Sequence, residues 1–323
     1  MTARKGTSAG SGPGLYNPLL RKAVPVRRNL GTYSKDRPGP LLIALAGLHG
    51  NEPSGVQAVQ AVLAELKRRD VSLRGTFVGI AGNLAALAKS CRFVDEDLNR
   101  LWSAERLEEL RDGRAPASVE ENELRAIDRV IEPLLAEDPE RRVFFIDCHS
   151  TSSESVPYIS VPHHAASVEL AGEIPVHSVI GSGDKLKGVS DRYLIDRGLT
   201  GFTFEAGHHD RLASVEAARA AVWTMLHRVG CLGDPPIEAT EELLRTVIDG
   251  HKYYEVEYVH EITPASGFRM KPGFCNFERI REGDLLAWEH DKPIVSRWNA
   301  RLFLPLYQAQ GDDGFSIIRE EAA

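Results

Sequence analysis

A histidine and a glutamate three residues apart, His49 and Glu52 in Gly47-Leu48-His49-Gly50-Asn51-Glu52, directly follow the apolar run Leu41-Leu42-Ile43-Ala44-Leu45-Ala46. An imidazole and a carboxylate at that spacing can grip one metal ion. A second apolar run, Val143-Phe144-Phe145-Ile146, leads through Asp147 and Cys148 to another histidine, His149. Zinc hydrolases commonly take three protein ligands and leave a fourth position for water, with His and carboxylate as donors when no thiolate set is present. His49, Glu52 and His149 would complete such a set. Asp147 is placed to accept a hydrogen bond from a ligand imidazole and fix its tautomer. A third run, Phe202-Thr203-Phe204, ends on Glu205, an acid outside that set.

The elements that must position these groups follow from periodicity. Residues 41–46 read as a buried strand, and 54–69, with Val56, Val59, Val62, Leu63 and Leu66 at helical intervals, as an amphipathic helix. His49 and Glu52 then lie on the connecting turn, where open α/β sheets bind ligands. Residues 76–81 and 158–161 read as further strands, 105–112, 119–136 and 211–229 as helices, and His149 and Glu205 as strand-end turns like the first. An edge strand is expected within 16–39. Between 91 and 102 the periodicity breaks and Arg92, Asp95, Glu96, Asp97, Asn99 and Arg100 crowd together. This segment reads either as a solvated, salt-bridged loop or as one anchored by Phe93, Val94, Leu98, Leu101 and Trp102. His163-His164 reads as a surface pair, because adjacent residues seldom point together, and the glycine-rich 181–188 as a mobile loop beside the site with no chemistry of its own.

Three regions are expected: a flexible tail of small polar residues at 1–14, a catalytic domain at 15–235, and a β-rich domain at 236–323. Gly233-Asp234-Pro235-Pro236 supplies the linker, a short helix runs through Leu243, Leu244 and Val247, and alternating strands begin near Tyr253. With 323 residues and 42% hydrophobic content, the chain can bury a large core. A net charge of -7 argues against nucleic acid or an anionic membrane as partner. No apolar stretch approaches the roughly 20 residues that span a bilayer. The four cysteines are widely spaced without CxxC pairs, as expected of reduced thiols in a cytoplasmic protein. The one GxSxG spacing, Gly6-Thr7-Ser8-Ala9-Gly10, falls in the small polar tail and follows no apolar run, which argues against a serine hydrolase.

In their order, GLHGNE at 47–52, DLNR at 97–100, DCHS at 147–150 and FEAG at 204–207 resemble the motifs of the succinylglutamate desuccinylase and aspartoacylase family, a branch of the zinc carboxypeptidase superfamily. The resemblance spans nearly the whole chain. It implies a three-layer α/β/α mixed sheet with a smaller C-terminal β-rich domain, and one zinc ion per subunit on His49, Glu52 and His149. Glu205 matches the general base and acid, and Arg92 the arginine that steadies the oxyanion. Asn99 and Arg100 match the pair that grips a substrate carboxylate. The implied activity is hydrolysis of a small, carboxylate-bearing N-acyl amino acid or related amide. A zinc carboxypeptidase for short peptides and a non-catalytic zinc-binding protein of the same fold are the competing readings, and homo-oligomerisation stays open. The aspartoacylase branch has a tyrosine near its C-terminus where this chain offers Phe315, which argues against N-acetylaspartate itself. It also has an arginine shortly before the catalytic glutamate, for which Arg192 and Arg197 are the candidates.

Overall fold

A computed structural model describes residues 14–233, 238–246, 248 and 250–321. The expected tail, apart from Gly14, and the expected boundary at Pro235 lie outside the described residues. A hairpin of β1 (Gly14–Asn17) and β2 (Lys22–Pro25) precedes the edge strand β3 (Asn29–Ser34). Then come β4 (Leu41–Ala46), α1 (Ser54–Arg69), β5 (Thr76–Ala81), α2 (Leu84–Lys89), α3 (Ala104–Arg111) and α4 (Val119–Ala136). They are followed by β6 (Val143–Thr151), β7 (Tyr158–Val161), α5 (Ala165–Gly172), β8 (His177–Ile180), α6 (Ser182–Lys185), α7 (Ser190–Asp196), β9 (Thr200–His208) and α8 (Leu212–Arg228). After α9 (Glu238–Arg245) the chain is β-rich: β10 (Tyr253–Glu261), β11 (Arg269–Met270), β12 (Glu278–Ile280), β13 (Leu285–Glu289), β14 (Lys292–Val295), β15 (Ala300–Phe303) and β16 (Asp313–Glu320).

The apolar runs become central strands because both of their faces are covered. Leu42, Ala44 and Ala46 of β4 pack with Val56 and Val59 of α1 and with the helix α8. Leu41, Ile43 and Leu45 pack on the other face with Leu124 and Ile127 of α4 and Leu194 of α7. Helices on both faces of one mixed sheet give the expected three layers. That sheet has 11 strands in the order β12-β15-β16-β10-β8-β7-β9-β6-β4-β5-β3. One half of it is mostly parallel, with β5, β4, β6 and β9 side by side. The C-terminal strands extend it, because β10 pairs in parallel with β8. A separate three-stranded sheet, β11-β13-β14, completes the C-terminal β structure.

The helix α1 ends at Asp70, whose backbone turns left-handed (φ 49°) and donates to the Leu66 and Lys67 carbonyls. Lys67, Arg68 and Arg69 in its last turn complement the negative end of the helix dipole. The helix α4 is capped by Ser118, whose hydroxyl accepts from the Glu121 N–H.

Two expectations need correction. His149 and Glu205 do not sit on turns but within β6 and β9, where they are paired residues of a parallel ladder. The ladder satisfies their backbone groups, so the strands run on past the last apolar residue and carry polar side chains onto one face. The segment 181–188 is not an open loop: α6 occupies its first half, and the Gly188 carbonyl accepts from the Trp102 N–H at 3.0 Å. His163 and His164 do form a surface pair, bonded separately to Asp184 and Ser167. Among the described residues no helix is long and apolar enough to cross a membrane, and all four cysteines are free.

His177 of β8 sits where the C-terminal strands join, edge-on to Tyr254 and Phe277 at 5.6 and 5.3 Å between ring centroids. Burial, reinforced by the positive charges of His251, Lys252 and Arg301, pushes its pKa down from 6.5 to about 4. Between those values the unfolded chain takes up a proton that the folded chain refuses. Its contribution to stability is therefore complete above pH 6.5 and is lost as the pH falls towards 4. Denaturant midpoints followed through this window should fall less steeply for His177→Gln than for the unsubstituted chain; parallel curves would remove His177 from the pH response.

Candidate active site

Everything at the site converges on the Glu52 carboxylate. The turn after β4 carries His49 and Glu52, with the Glu52 N–H donating to the His49 carbonyl at 3.2 Å. His49 Nδ1 lies 2.8 Å from Glu52 Oε1, and His149 Nδ1 lies 3.0 Å from Glu52 Oε2, which also accepts from the Ser150 N–H at 3.0 Å. The turn fits only because two glycines allow close approach. A Cβ on Gly50 would fall 2.0 Å from the Ala86 backbone, and one on Gly55 would fall 2.6 Å from Cys148 Cβ on β6.

Each imidazole meets a further carboxylate through its other nitrogen. His49 Nε2 is 3.1 Å from Asp97 Oδ1. His149 Nε2 is 3.2 Å from Asp147 Oδ2, in ion-pair range but poorly aligned for a hydrogen bond, and Asp147 also accepts from the Ser190 hydroxyl. All five of these side chains are buried. Burial opposes ionisation of Glu52, yet His49 and His149 hold its carboxyl well below the usual range. Burial likewise disfavours a charged His149, but Asp147 and Glu52 outweigh it and keep the imidazolium well above the usual range. The pocket thus demands positive charge at the centre of the triad. The ligand atoms of His49, Glu52 and His149 all lie within 4.8 Å of one another, and both Nδ1 atoms face the same carboxylate. These three residues fit a metal ion.

The segment 91–100 is anchored, as the second of its two sequence readings has it. Leu98, Leu101 and Trp102 are buried. The fully buried Glu120 of α4 accepts from the Val94 and Asp95 N–H groups at 2.7 and 3.0 Å and from Asn83 Nδ2 at 2.9 Å. That carboxylate shapes the loop that delivers Arg92, whose backbone carbonyl is also tied to the Gly50 N–H at 3.1 Å. Arg92 clamps Asp97 through Nε and Nη2 at 3.1 and 2.9 Å, leaving Nη1 3.6 Å from Glu52 Oε1.

Glu205 of β9 pairs in register with His149, so both side chains leave the sheet on the same face. Its Oε2 is buried without a hydrogen-bond partner. Burial, with help from Glu52 and against the opposing pull of His149 and Arg92, pushes its carboxyl up to about 8.

His49, Glu52, Arg92, Asn99, Arg100 and Glu205 all line one cavity of about 720 Å³, its open mouth included. His149 is buried and does not line it. Arg192 and Arg197 are elsewhere: the first pairs with Asp184 and Asp196, the second with Glu132, and neither lines the cavity. Residues without an assigned role in the sequence also reach it. His209 lines the wall, with Nδ1 2.9 Å from the Ser150 hydroxyl. Leu304, Leu306, Gln308, Asp312 and Asp313 arrive from the C-terminal strands and close one side. Gln310 ties that side to the Arg92 loop, accepting from the Arg92 N–H and donating to the Phe93 carbonyl, both at 3.1 Å. Asp97 could have been singled out from its place in the DLNR motif; Glu120 and Gln310 carry no local signal.

The model of the succinylglutamate desuccinylase/aspartoacylase catalytic domain matches residues 38–226, more than half of the chain and every residue of the triad. The chain belongs to that family. A relative, the succinylglutamate desuccinylase of Paraburkholderia xenovorans, is 26% identical over 148 residues, 43% of this chain and 42% of its own length. The chain thus matches less than half of that protein. Among solved structures, a succinylglutamate desuccinylase/aspartoacylase from Rhodobacter sphaeroides superposes with a TM-score of 0.65 at 18% identity, covering 89% of this chain and 87% of its own. The succinylglutamate desuccinylase from Chromobacterium violaceum gives 0.63 at 15% identity, covering 89% and 86%. At such identities the likeness is one of fold, C-terminal β structure included.

Because Asp97 orients the His49 ring, Asp97→Asn should leave the three ligands in place yet weaken metal binding by about 10- to 100-fold. Competition against a chelator measures this, and an unaltered affinity would show that Asp97 serves only to hold Arg92.

Proposed function

We propose that this chain is a zinc-dependent amidohydrolase that cleaves the amide bond of a small N-acyl amino acid or related amide. The observation that carries this reading is the half-buried Glu205 carboxylate, its enclosed Oε2 without a hydrogen-bond partner, held in register beside two histidines and a glutamate that fit a metal ion. Two imidazoles and a carboxylate without thiolates suit zinc at a catalytic centre. Zinc bound there supplies a Lewis acid for the scissile carbonyl and lowers the pKa of water to about 7.

The chain's own groups supply the rest. Glu205 takes a proton from the attacking water onto its carboxylate and returns it to the amide nitrogen as the C–N bond breaks, releasing an acid and an amine. Its high proton affinity in a buried setting suits the holding step. Arg92, fixed by Asp97 through two of its nitrogens, presents Nη1 to the oxygen on which negative charge develops. Arg100, with Asn99, lies on the cavity wall as a guanidinium fork suited to a planar carboxylate. The C-terminal residues that close one side of the cavity favour a small amide over the long substrate of a carboxypeptidase. The free cysteines are in keeping with work in a reducing, cytoplasmic setting.

Glu205→Gln should keep one zinc per chain while turnover of N-acyl amino acids falls by about 10²- to 10⁴-fold, the usual share of a positioned acid–base group. Full activity in that variant would exclude the assignment. His149→Ala should instead lower the zinc stoichiometry itself, read by metal analysis after dialysis; an unchanged content would remove His149 from the ligand set.

A further inference from the structure

The segment 304–312 runs between β15 and β16 without regular structure, yet it is bound on both sides. Outwards, the Tyr307 hydroxyl accepts from the Phe274 N–H at 2.9 Å and donates to the Lys271 carbonyl at 2.7 Å, which fixes the segment to the C-terminal β structure. Inwards, Gln308 and Gln310 are half-buried, while Tyr307 and Ala309 are exposed. Gln308 Oε1 accepts from Asn51 Nδ2 at 2.8 Å, and Asn51 stands next to Glu52 on the turn after β4. Gln310 accepts from the Arg92 N–H and donates to the Phe93 carbonyl, each at 3.1 Å.

The Gln310 contact has the form of a ladder. Arg92 lies in an irregular loop, so no strand or helix neighbour pairs its backbone, and among the described residues Gln310 alone holds its N–H. The Gln310 amide offers an acceptor and a donor together, as a neighbouring strand would, whereas a carboxylate has no donor and an alkyl chain has neither. On its other side the Arg92 carbonyl accepts from the Gly50 N–H at 3.1 Å. Asn51, Gln308, Gln310, Arg92 and Gly50 therefore close a ring that joins the turn after β4, the segment 304–312 and the Arg92 loop. The turn is held independently by Glu52 and its partners, so Gln308 seats the segment on fixed ground and Gln310 passes that position on. Arg92 reaches back from this ring, its Nη1 lying 3.6 Å from Glu52 Oε1.

We propose that Gln310, seated by Gln308, is a positioning residue of the reaction: it sets where Arg92 stands relative to the metal-fitting triad, although it does not itself line the cavity. This rests on the amidohydrolase reading, so the tie and its kinetic effect are measured separately. Gln310→Met keeps the length of the side chain and removes both hydrogen bonds. In the full, zinc-loaded chain this variant should quicken hydrogen exchange at the Arg92 amide by at least about tenfold, while the amides of β4 and β6 and the zinc stoichiometry stay as they were. Gln308→Met, which unseats the segment without touching Arg92, should quicken the same amide, and decides the matter if Gln310→Met does not fold. An unchanged Arg92 amide, or an acceleration that runs through β4 and β6 as well, overturns the proposal whatever the chain hydrolyses. In turnover of N-acyl amino acids, kcat and kcat/KM of Gln310→Met should fall together by about 10- to 100-fold. In an Arg92→Ala background the same substitution should cost nothing further, because the group it positions is gone. Equal fold losses in the two backgrounds, or full kcat with Arg92 present, assign Gln310 to the fold alone and overturn the proposal. A selective quickening of the Arg92 amide in a chain that releases no amine from any N-acyl amino acid keeps the tie and removes the deacylase reading instead.

Discussion

Burying a carboxylate beneath a cavity floor is the constraint from which the rest of this structure follows. Glu52 is buried, and a charge taken out of water costs several kcal/mol unless it is matched by partners in good geometry. Its two oxygens meet two imidazoles and a backbone N–H, with a guanidinium close by. Those partners come from three separate stretches of chain, so the carboxylate is satisfied only when the turn after β4, strand β6 and the Arg92 loop are assembled together. Asp97 and Asp147 then repeat the problem one layer out, each answering an imidazole and each requiring its own donor. The result is a cluster whose negative charge exceeds its built-in positive charge, a condition that a bound dication relieves.

A second buried carboxylate performs the corresponding task for the loop. Glu120 offers its oxygens to successive backbone N–H groups of an irregular segment that has no ladder or helix to satisfy them. Regular secondary structure fixes His149 and Glu205, whereas the Glu120 side chain of α4, with Gln310 and the Gly50 N–H, fixes the loop that brings Arg92 and Asp97. Substitution there would reach the chemistry without touching any group that performs it.

Much of this was legible beforehand. Runs such as 41–46 and 143–146 announce buried strands by composition alone, and His49, Glu52, His149 and Glu205 stand out because polar residues terminate those runs. What local pattern could not show was that the strands continue through His149 and Glu205, since strand ends depend on a neighbour's hydrogen bonds as well as on the chain's own residues. Arg192 and Arg197 were attractive by spacing and fail because nearby acids hold them at the surface. Asp313 and Gln308 lie more than 100 residues beyond Glu205 and reach the cavity through the pairing of β10 with β8, a contact between distant segments that no periodicity encodes. The resemblance to a known family supplied roles for Arg92, Asn99 and Arg100 that residue types alone left open.

The continuity of the 11-stranded sheet has a consequence for how such a protein can diversify. The residues that fit a metal ion, with Glu205, are carried by β6, β9 and the turn after β4, whereas one wall of the cavity is carried by the segments around β15 and β16. The two are joined through hydrogen-bonded backbone, which is indifferent to side-chain identity. Residues 304–313 can therefore change the shape and charge of that wall without disturbing His49, Glu52, His149 or the carboxylates that orient them.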